Sequence, residues 1–356
     1  MYANPIDAPT LTIGRHEIGP GHPVFIVAEL SANHRQDFDA AVRLIHAAKA
    51  SGADAVKLQT YTPDTMTIDC NDRRFRHGNG SLWAGKTLYE LYQEAFMPWE
   101  WQPKLKEIAN NLGLELFSSA YDPTAVEFLA AMNVPAIKIS SFELVDLPLI
   151  RRAAGTGKPL IISTGMGSLA EIDQAVTAAR SAGATAIVLL KCTSAYPCDP
   201  AAVNLVTIPD LAGTFNLPCG LSDHSQGSVV AAAAVALGAC LIEKHFKLEE
   251  VETAVDSAFS LTPKEFRAMV DAVRTVQKSL GTITYGPEIV EKENVTFRRS
   301  LYAVEDIVAG GQITESNVRA IRPSGGLPPG HLAELLGKIT KQTVKKGTPI
   351  TWDVVA

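Results

Sequence analysis

The sequence predicts an α/β protein in which a (β/α)8 barrel precedes a small β-rich domain. Eight short apolar runs alternate with longer segments of helical spacing, which is the pattern of a parallel sheet covered by helices. The eight units span about 265 residues, as expected for a barrel of this kind. After them the sequence changes to a Gly- and Pro-rich segment with short strand patterns, which predicts a second domain.

The eight predicted strands are near-continuous apolar runs. They lie at residues 25–30, 55–60, 114–120, 136–140, 159–164, 186–193, 219–224 and 241–246. Several intervening helices end at a glycine just before the next strand, namely at Gly52, Gly113, Gly183 and Gly238. Glycine readily takes the left-handed conformation that stops a helix. An open, doubly wound sheet is the alternative, but it usually has a Gly-rich phosphate loop after its first strand, and this sequence has none there.

The domain boundaries follow from the change in pattern. We predict the barrel domain at residues 1–284, a polar linker at 285–297 and the β-rich domain at 298–356. Two segments of the last domain, 304–318 and 340–354, resemble each other, which suggests a pseudo-symmetric pair of strand-turn units. Because so small a domain buries little apolar surface, we expect it to lean on the barrel or on a second subunit.

Composition and charge exclude several classes of protein. The net charge of -6 argues against a general nucleic-acid-binding protein, which needs a basic face. The five cysteines are odd in number and include no Cys-x-x-Cys pair, so we interpret them as reduced thiols of a cytoplasmic protein. The amino-terminal residues do not have the pattern of a signal peptide. The most apolar run, 229–242, is too short to span a membrane and contains Gly238.

A long excursion, residues 61–98, separates the second and third predicted strands. Insertions at the carboxyl end of a barrel strand commonly shape the substrate pocket. The alternative is a surface segment whose Trp83, Trp99 and Trp101 pack on the barrel.

The predicted strands end in hydrogen-bonding or charged side chains, and in a barrel the catalytic groups lie at the carboxyl ends of the strands. Lys57 and Lys138 end apolar strands, where a buried, unpaired ammonium group costs several kcal/mol. A central phosphate or carboxylate would remove that cost for both lysines. The alternative is that each lysine pairs with a carboxylate such as Glu29 or Glu143.

Two histidines, His224 and His245, close the seventh and eighth predicted strands, which are neighbours in a barrel. Two neutral imidazoles with open positions for water and substrate suit a divalent metal such as Mn, Zn, Co or Fe. The alternative is a pair of structural histidines. Glu29, Glu143 and Asp256 are candidates for proton transfer or for binding hydroxyl groups, although Asp256 also suits a helix cap or a solvated loop.

These residues occur in segments that resemble the sialic acid synthase family over nearly the full chain. The matching segments are AELSANH (28–34), AVKLQT (55–60), KISSFE (138–143), ISTGM (162–166), KCTSAYP (191–197), GLSDHS (220–225), EKHF (243–246), RSLYA (299–303) and RPSGGLPP (322–329). That family joins a phosphoenolpyruvate-condensing TIM barrel to a C-terminal antifreeze-like (SAF) domain. Within it, the chain is most similar to the pseudaminic acid synthases, on LYELYQEAFMPWEW, KISSFE and KCTSAYP.

The resemblance implies a role for each matching position. His224 and His245 are implied as ligands of a divalent metal, usually Mn, with Mg or Co as alternatives. The implied phosphoenolpyruvate contacts are Lys57, Ser119, Lys138, Ser141, Ser163 and Ser222. The implied sugar contacts are Glu29, Gln59, Asp256 and Arg322. The implied catalytic residues are Glu29, Glu143 and Lys138.

Arg322 has a further implication, because it resembles an arginine that reaches over the barrel of a partner subunit to an N-acetyl group. The resemblance thus implies a domain-swapped homodimer, with no nucleic-acid or membrane partner. Two positions depart from the family pattern. Ser119 replaces a frequent Thr and keeps the hydroxyl, whereas Ser194 replaces an Asn, which argues against N-acetylmannosamine as the substrate.

The implied reaction condenses phosphoenolpyruvate with an open-chain acetamido-sugar and water, and it releases phosphate. For the closest subfamily the sugar is a 2,4-diacetamido-2,4,6-trideoxy hexose of the altrose type. The same chemistry on another sugar, giving N-acetylneuraminate or legionaminate, is the nearest alternative. More distant alternatives are a Schiff-base aldolase that uses Lys138 or Lys244, and a sugar-binding module without catalysis.

Overall fold

A computed structural model of the chain describes residues 9–78, 83–249 and 254–356. Three parts of the sequence analysis lie partly outside these residues: the amino terminus, the middle of the excursion and the beginning of the loop that carries Asp256. The chain divides into two compact units, Met1–Gly281 and Thr282–Ala356.

The first unit is a closed barrel of eight parallel strands, which confirms the predicted fold class. A short antiparallel hairpin, β1 (Leu11–Ile13) and β2 (His16–Ile18), precedes it. The barrel strands are β3 (Phe25–Glu29), β4 (Ala55–Thr60), β5 (Glu115–Ala120), β6 (Ile137–Ile139), β7 (Leu160–Ser163), β8 (Ile187–Cys192), β9 (Cys219–Asp223) and β10 (Leu241–His245). Each coincides with a predicted strand. The barrel closes where β10 pairs with β3.

Helices follow the barrel strands and cover the outside of the sheet. They are α1 (Phe38–Ala50), α2 (Pro63–Met66), α3 (Leu88–Ala95), α4 (Gln102–Asn111), α5 (Pro123–Ala131), α6 (Leu147–Ala154), α7 (Leu169–Ser181), α8 (Thr207–Phe215), α9 (Val229–Ala236) and α10 (Pro263–Leu280). Capping boxes fix the starts of α7, by Ser168 and Glu171, and of α10, by Thr262 and Glu265. After α1, Gly52 has a φ of +89°, the left-handed conformation predicted for the helix stop.

The hairpin at the beginning of the chain was not predicted. Its Ile13 and Ile18 are fully buried in the barrel core. The Arg15 guanidinium in its turn donates to Glu115 Oε1 at 2.9 Å, and Glu115 is the first residue of β5. The hairpin therefore packs at the amino-terminal end of the barrel, opposite the end where the predicted site residues lie.

The excursion forms α2 and α3 at the carboxyl-terminal end of the barrel. Its Tyr61 and Ala95 are buried with Ala32 in a small apolar cluster that is separate from the barrel core. Trp99 and Trp101 pack against the barrel core, as the alternative interpretation of this segment predicts, whereas Trp83 lines the cavity described below. The excursion thus contributes both to the surface packing and to the cavity described below.

The second unit contains β11 (Ser300–Ala303) paired with β12 (Val318–Ile321), and the short helix α11 (Leu332–Leu335). The two similar segments predicted in this unit pair with each other, because Ile307 and Val344 exchange two backbone hydrogen bonds of 2.8 Å. Its buried apolar side chains form a core cluster distinct from that of the barrel.

All five cysteines are free thiols. Over the described residues, we found no helix that is both long and apolar enough to cross a lipid bilayer. The Ala-rich run at 229–242 divides into α9 and β10, as predicted for a helix followed by a strand.

Candidate active site

A cavity of about 460 Å³ opens at the carboxyl-terminal ends of the barrel strands. Nine of the thirteen predicted site residues line it: Lys57, Gln59, Lys138, Ser141, Ser163, Ser222, His224, His245 and Asp256. Its volume is within the range typical of small-molecule sites. The structure therefore brings the predicted anion-binding and metal-binding side chains together in one place.

Two buried lysines face this cavity from β4 and β6. Lys57 Nζ lies 2.7 Å from Glu29 Oε2 and 3.5 Å from Glu243 Oε1, and it donates to Ser119 Oγ at 3.1 Å. Lys138 Nζ has a more distant carboxylate neighbour, Glu243 Oε2 at 3.8 Å. Pairing with Glu29 therefore occurs for Lys57, whereas the carboxylate that faces Lys138 is Glu243.

The charge states of the lysines follow from these neighbours. Burial opposes ionisation of Lys57, but Glu243 and Glu29 hold its pKa above the usual value. For Lys138, burial dominates and lowers the pKa, although Glu243 partly offsets it. An anionic ligand beside Lys138 would complete its pairing. Ser163 Oγ, which is buried in the same cavity and has no hydrogen-bond partner among the described residues, is available to such a ligand.

The two histidines at the ends of β9 and β10 lie side by side. The ring centroids of His224 and His245 are 5.3 Å apart. His224 Nδ1 lies 3.0 Å from the Thr193 carbonyl oxygen, to which it donates, and Nε2 is therefore the nitrogen available to a metal. Burial, together with the neighbouring His224, holds the pKa of His245 well below its usual value. A neutral imidazole is the form that binds metals.

The donor set of this site fits a divalent metal ion. His245 Nδ1 is buried without a hydrogen-bond partner among the described residues, and coordination would satisfy it. No cluster of three or more His, Cys, Asp or Glu side chains suitable for a metal occurs in the part of the chain that the structure describes. The protein would thus provide two ligands, His224 and His245, and leave positions for water and substrate oxygens.

Three carboxyl groups near the cavity have raised pKa values. Burial raises the pKa of Glu143 to about 7 and that of Asp256 to about 7. Burial also raises the pKa of Glu29, although Lys57 partly offsets it. Glu29 accepts a hydrogen bond from Gln59 Nε2 at 2.9 Å, and Ser31 Oγ donates to Asp256. Carboxyl groups that titrate near neutral pH suit proton transfer.

The four remaining predicted residues lie elsewhere. Glu29 and Ser119 are fully buried behind the lining and contact Lys57. Glu143 lies near Lys138, and the cavity lining does not include it. Arg322 belongs to the second unit, where it is exposed. The roles of all thirteen residues remain predictions.

Glu243 is the main lining residue that the sequence analysis missed. It lies between Lys57 and Lys138 and accepts a hydrogen bond from Ser222 Oγ at 3.0 Å. Burial opposes its ionisation, but the two lysines hold its pKa below the usual value, so it is charged. The alternation of side chains along a strand could have identified it, because Glu243 and His245 are two residues apart and thus share one face of β10.

Aromatic side chains that the sequence analysis did not single out surround the histidines. The Tyr196 ring lies 4.3 Å from that of His224, and the Phe259 ring lies 4.8 Å from that of His245. The Cys192 thiol lies 3.9 Å from His224 Nδ1; burial opposes its ionisation, but the bond and the charge of His224 lower its pKa to about 7. These packed side chains restrict the orientation of both imidazoles.

A closed (β/α)8 barrel with buried lysines, serines and paired histidines at the carboxyl ends of its strands defines a TIM-barrel enzyme. The sequence pattern of the NeuB family matches residues 44–285, and that of the SAF domain matches residues 298–356. The chain belongs to the NeuB family, as the resemblance in its sequence predicts, and it carries a SAF domain.

Relatives of known name match nearly the whole chain. The chain is 44% identical to the pseudaminic acid synthase of Helicobacter pylori over 333 residues, which cover 93% of this chain and 97% of that protein. It is 44% identical to the pseudaminic acid synthase of Campylobacter jejuni over 324 residues, which cover 91% and 94%. The crystal structure of an N-acetylneuraminic acid synthetase from Leptospira borgpetersenii in complex with citrate superposes with a TM-score of 0.71, at 30% identity, covering 81% of this chain and 95% of that one.

Proposed function

We propose that this protein is a pseudaminic acid synthase, which condenses phosphoenolpyruvate with a 2,4-diacetamido-2,4,6-trideoxy hexose of the altrose type. Water is the third reactant, and the products are the nine-carbon keto acid and phosphate. The observation that carries the proposal is the convergence of Lys57, Lys138, His224 and His245 on one cavity, in a chain that is 44% identical to pseudaminic acid synthases.

The charges of the cavity support the binding of phosphoenolpyruvate. Lys57 is held in its charged form, and Lys138 lacks a carboxylate within 3.5 Å among the described residues. Ser141, Ser163 and Ser222 add hydroxyl groups beside the lysines. Together they offer the charge-assisted hydrogen bonds that phosphate and carboxylate oxygens require.

The chain's own groups position and stabilise the reacting atoms. The C3 carbon of phosphoenolpyruvate attacks the aldehyde carbon of the sugar, and positive charge then develops at C2. Glu29 and Glu243, both buried within ion-pair distance of Lys57, are the carboxylates that we propose to stabilise that charge. A divalent metal held by His224 and His245, which we propose to be Mn, would supply Lewis-acid polarisation of the aldehyde oxygen when bound.

Water then adds at C2, and phosphate leaves by cleavage of its C–O bond to C2. Removal of a proton from that water requires a base, and Asp256 is suited to the role because it lines the cavity and burial raises its pKa to about 7. Glu143, whose pKa burial also raises to about 7, lies near Lys138 outside the lining and would have to act through another group. The lysines hold the departing phosphate, whose charge increases as the bond breaks. The new keto acid closes to its ring form after release.

A phosphate-release screen tests the proposal. The purified chain is supplied with Mn, phosphoenolpyruvate and one sugar at a time: the altrose-type diacetamido sugar, its legionaminate-type stereoisomer or N-acetylmannosamine. The proposal predicts the highest kcat/KM with the altrose-type sugar. Phosphate release that needs no sugar, or a preference for N-acetylmannosamine, would overturn it. Ser194, in place of the family's Asn, supports the diacetamido sugar.

We also propose that the enzyme acts as a cytoplasmic, domain-swapped homodimer in which Arg322 binds the acetamido group of the sugar in the partner's barrel. Two observations support the proposal. Arg322 is exposed on the second unit. The segment that begins this unit exposes five large apolar side chains, Ile283, Tyr285, Ile289, Val290 and Phe297. Large apolar side chains exposed within one short segment favour a protein interaction site.

A further inference from the structure

One side of the active-site cavity is apolar and comes from the excursion. Met66, Leu88, Leu91, Tyr92 and Ala95 line it, and we name this set the excursion wall. Met66 ends α2, and the other four residues belong to α3. The lysines and histidines of the same cavity come instead from the ends of the barrel strands. The cavity therefore joins a charged reaction centre to an apolar surface.

Contacts within the chain hold the excursion wall in place. Thr87 and Glu90 form a capping box that fixes the start of α3. Thr87 also pairs with Arg76 across the excursion as an isolated β-bridge. At the other end of the helix, Gln36 Nε2 donates to the Gln93 carbonyl oxygen at 2.8 Å. A preformed apolar surface selects ligands by shape and polarity rather than by closing around them.

Aromatic contacts connect the excursion to the reaction centre. Trp83 Nε1 donates to the Val255 carbonyl oxygen at 3.0 Å, and the Trp83 ring lies 6.4 Å from that of Tyr196. Tyr196 in turn packs on His224 at 4.3 Å. His224 and the excursion wall line one cavity, so a sugar bound beside His224 shares that space with the wall.

We propose that the excursion wall is the binding subsite for the deoxy end of the sugar, and that Met66 and Leu91 select a methyl group at C6. The inference rests on the proposed function and names the determinant of its sugar preference. A methyl group packs favourably against Met and Leu side chains. A hydroxymethyl group packed against Met66 and Leu91 buries its hydroxyl against side chains that offer no hydrogen bond, which typically disfavours a substrate by about 100-fold.

A comparison of two sugars tests the inference. The altrose-type 2,4-diacetamido-2,4,6-trideoxy hexose and its counterpart with a C6 hydroxyl are each assayed for phosphate release at saturating phosphoenolpyruvate. We expect the wild-type protein to favour the 6-deoxy sugar by about 100-fold in kcat/KM. Met66→Gln places an amide on the wall, and we expect it to reduce that ratio to below about 10. Leu91→Asn is expected to act in the same direction.

Ile68→Gln is the matched control, because Ile68 is an exposed apolar residue of the same excursion and does not line the cavity. It is expected to keep the wild-type ratio. The inference would be overturned if Met66→Gln and Leu91→Asn left the kcat/KM ratio of the two sugars unchanged. It would also be overturned by a ratio near one in the wild-type protein, a result that does not depend on whether any variant folds. In both cases turnover continues, and the proposed function stands. Absence of phosphate release with every acetamido-sugar would instead overturn the proposed function, and the inference with it.

Discussion

Lys244 Nζ lies 2.7 Å from Asp223 Oδ2, and both side chains are buried behind the active-site cavity. Asp223 and Lys244 are partners in the pairing of β9 with β10. Each directly precedes one of the two histidines in the sequence. Asp223 also accepts hydrogen bonds from the backbone and side chain of Ser225. The ion pair thus joins the two strand ends that carry His224 and His245.

We predict that breaking this ion pair is more harmful than removing both charges. Lys244→Met leaves the Asp223 carboxylate buried without its cation, and we expect it to lower the free energy of unfolding by about 3–5 kcal/mol. The double variant with Asp223→Asn as well is expected to recover at least half of that loss. Urea denaturation of both variants measures the difference. Equal losses in the single and double variants would contradict the prediction.

His224→Ala is expected to abolish metal binding and phosphate release while the chain remains folded. The reason is that one imidazole remains, and a single ligand does not hold a divalent ion in a site of this kind. Isothermal titration with MnCl2 and circular dichroism check the two parts separately. His46→Ala is the matched control, since His46 is exposed on α1. A metal-free His224→Ala protein with full activity would contradict the assigned role.

The stability of the protein is expected to depend on pH through Glu143. Burial raises its pKa from 4.5 to about 7 in the folded protein. Between these values the unfolded chain releases a proton that the folded protein retains, so this group's contribution to stability decreases as pH rises. Glu143→Gln removes the effect, and we expect it to raise the free energy of unfolding at pH 8 by about 3 kcal/mol relative to wild type.

Denaturation of the Glu143→Gln protein at pH 5 and pH 8 measures this dependence. Little difference from wild type is expected at the lower pH, where both folded proteins are neutral at this position. Glu100→Gln, at an exposed position, is the control and is expected to change neither value. A Glu143→Gln protein less stable than wild type at pH 8 would show that the carboxylate is stabilising.

Lys138→Met is expected to raise the KM for phosphoenolpyruvate by about 100-fold, because a buried ammonium–anion contact typically stabilises a complex by 2 kcal/mol or more. Lys278→Met, at an exposed position on α10, is the control. The same experiment addresses the aldolase alternative. Treatment of the wild-type protein with substrates and borohydride is expected to leave its mass unchanged, and a covalent adduct at Lys138 would contradict the proposed chemistry.

Mixing of two inactive variants tests the swapped dimer. In a dimer of Arg322→Ala with His224→Ala, one barrel has both histidines and receives Arg322 from its partner. Random mixing makes about half of the dimers mixed, each with one intact site, so about a quarter of the wild-type activity is expected. Co-expressed and co-purified variants are assayed for phosphate release. No recovery above the separate variants would indicate that Arg322 acts within its own chain, or not at all.

The sequence predicted the barrel well because each strand is a continuous apolar run that ends in a polar residue. All eight strands agree with the structure to within one residue at either end. The hairpin that begins with Leu11 was missed because its two strands of three residues are too short for a periodic pattern. Long-range packing, of Arg15 on Glu115, is what positions it.

Individual residues of the site were predictable where they end a strand and less so elsewhere. Lys57 and His245 were found in this way. Glu243 was missed because only Lys244 and His245 were considered as the polar residues that end this strand. Strand alternation places Glu243 and Lys244 on opposite faces of β10. The pKa of Glu143 is raised because segments distant in the sequence bury its side chain. The excursion wall depends on how α3 packs on the barrel. Neither the burial of Glu143 nor the excursion wall can be predicted from the spacing of residues along the chain.

The helices α2 and α3 of the excursion pack on an apolar cluster that is separate from the barrel core, and this separation has an evolutionary consequence. Tyr61 and Ala95 pack in their own small cluster, apart from the side chains that hold the barrel together. Mutations in α2 and α3 can therefore accumulate without destabilising the scaffold that carries the lysines and histidines. Lineages can diverge in the sugar they accept while they inherit the same bond-forming chemistry.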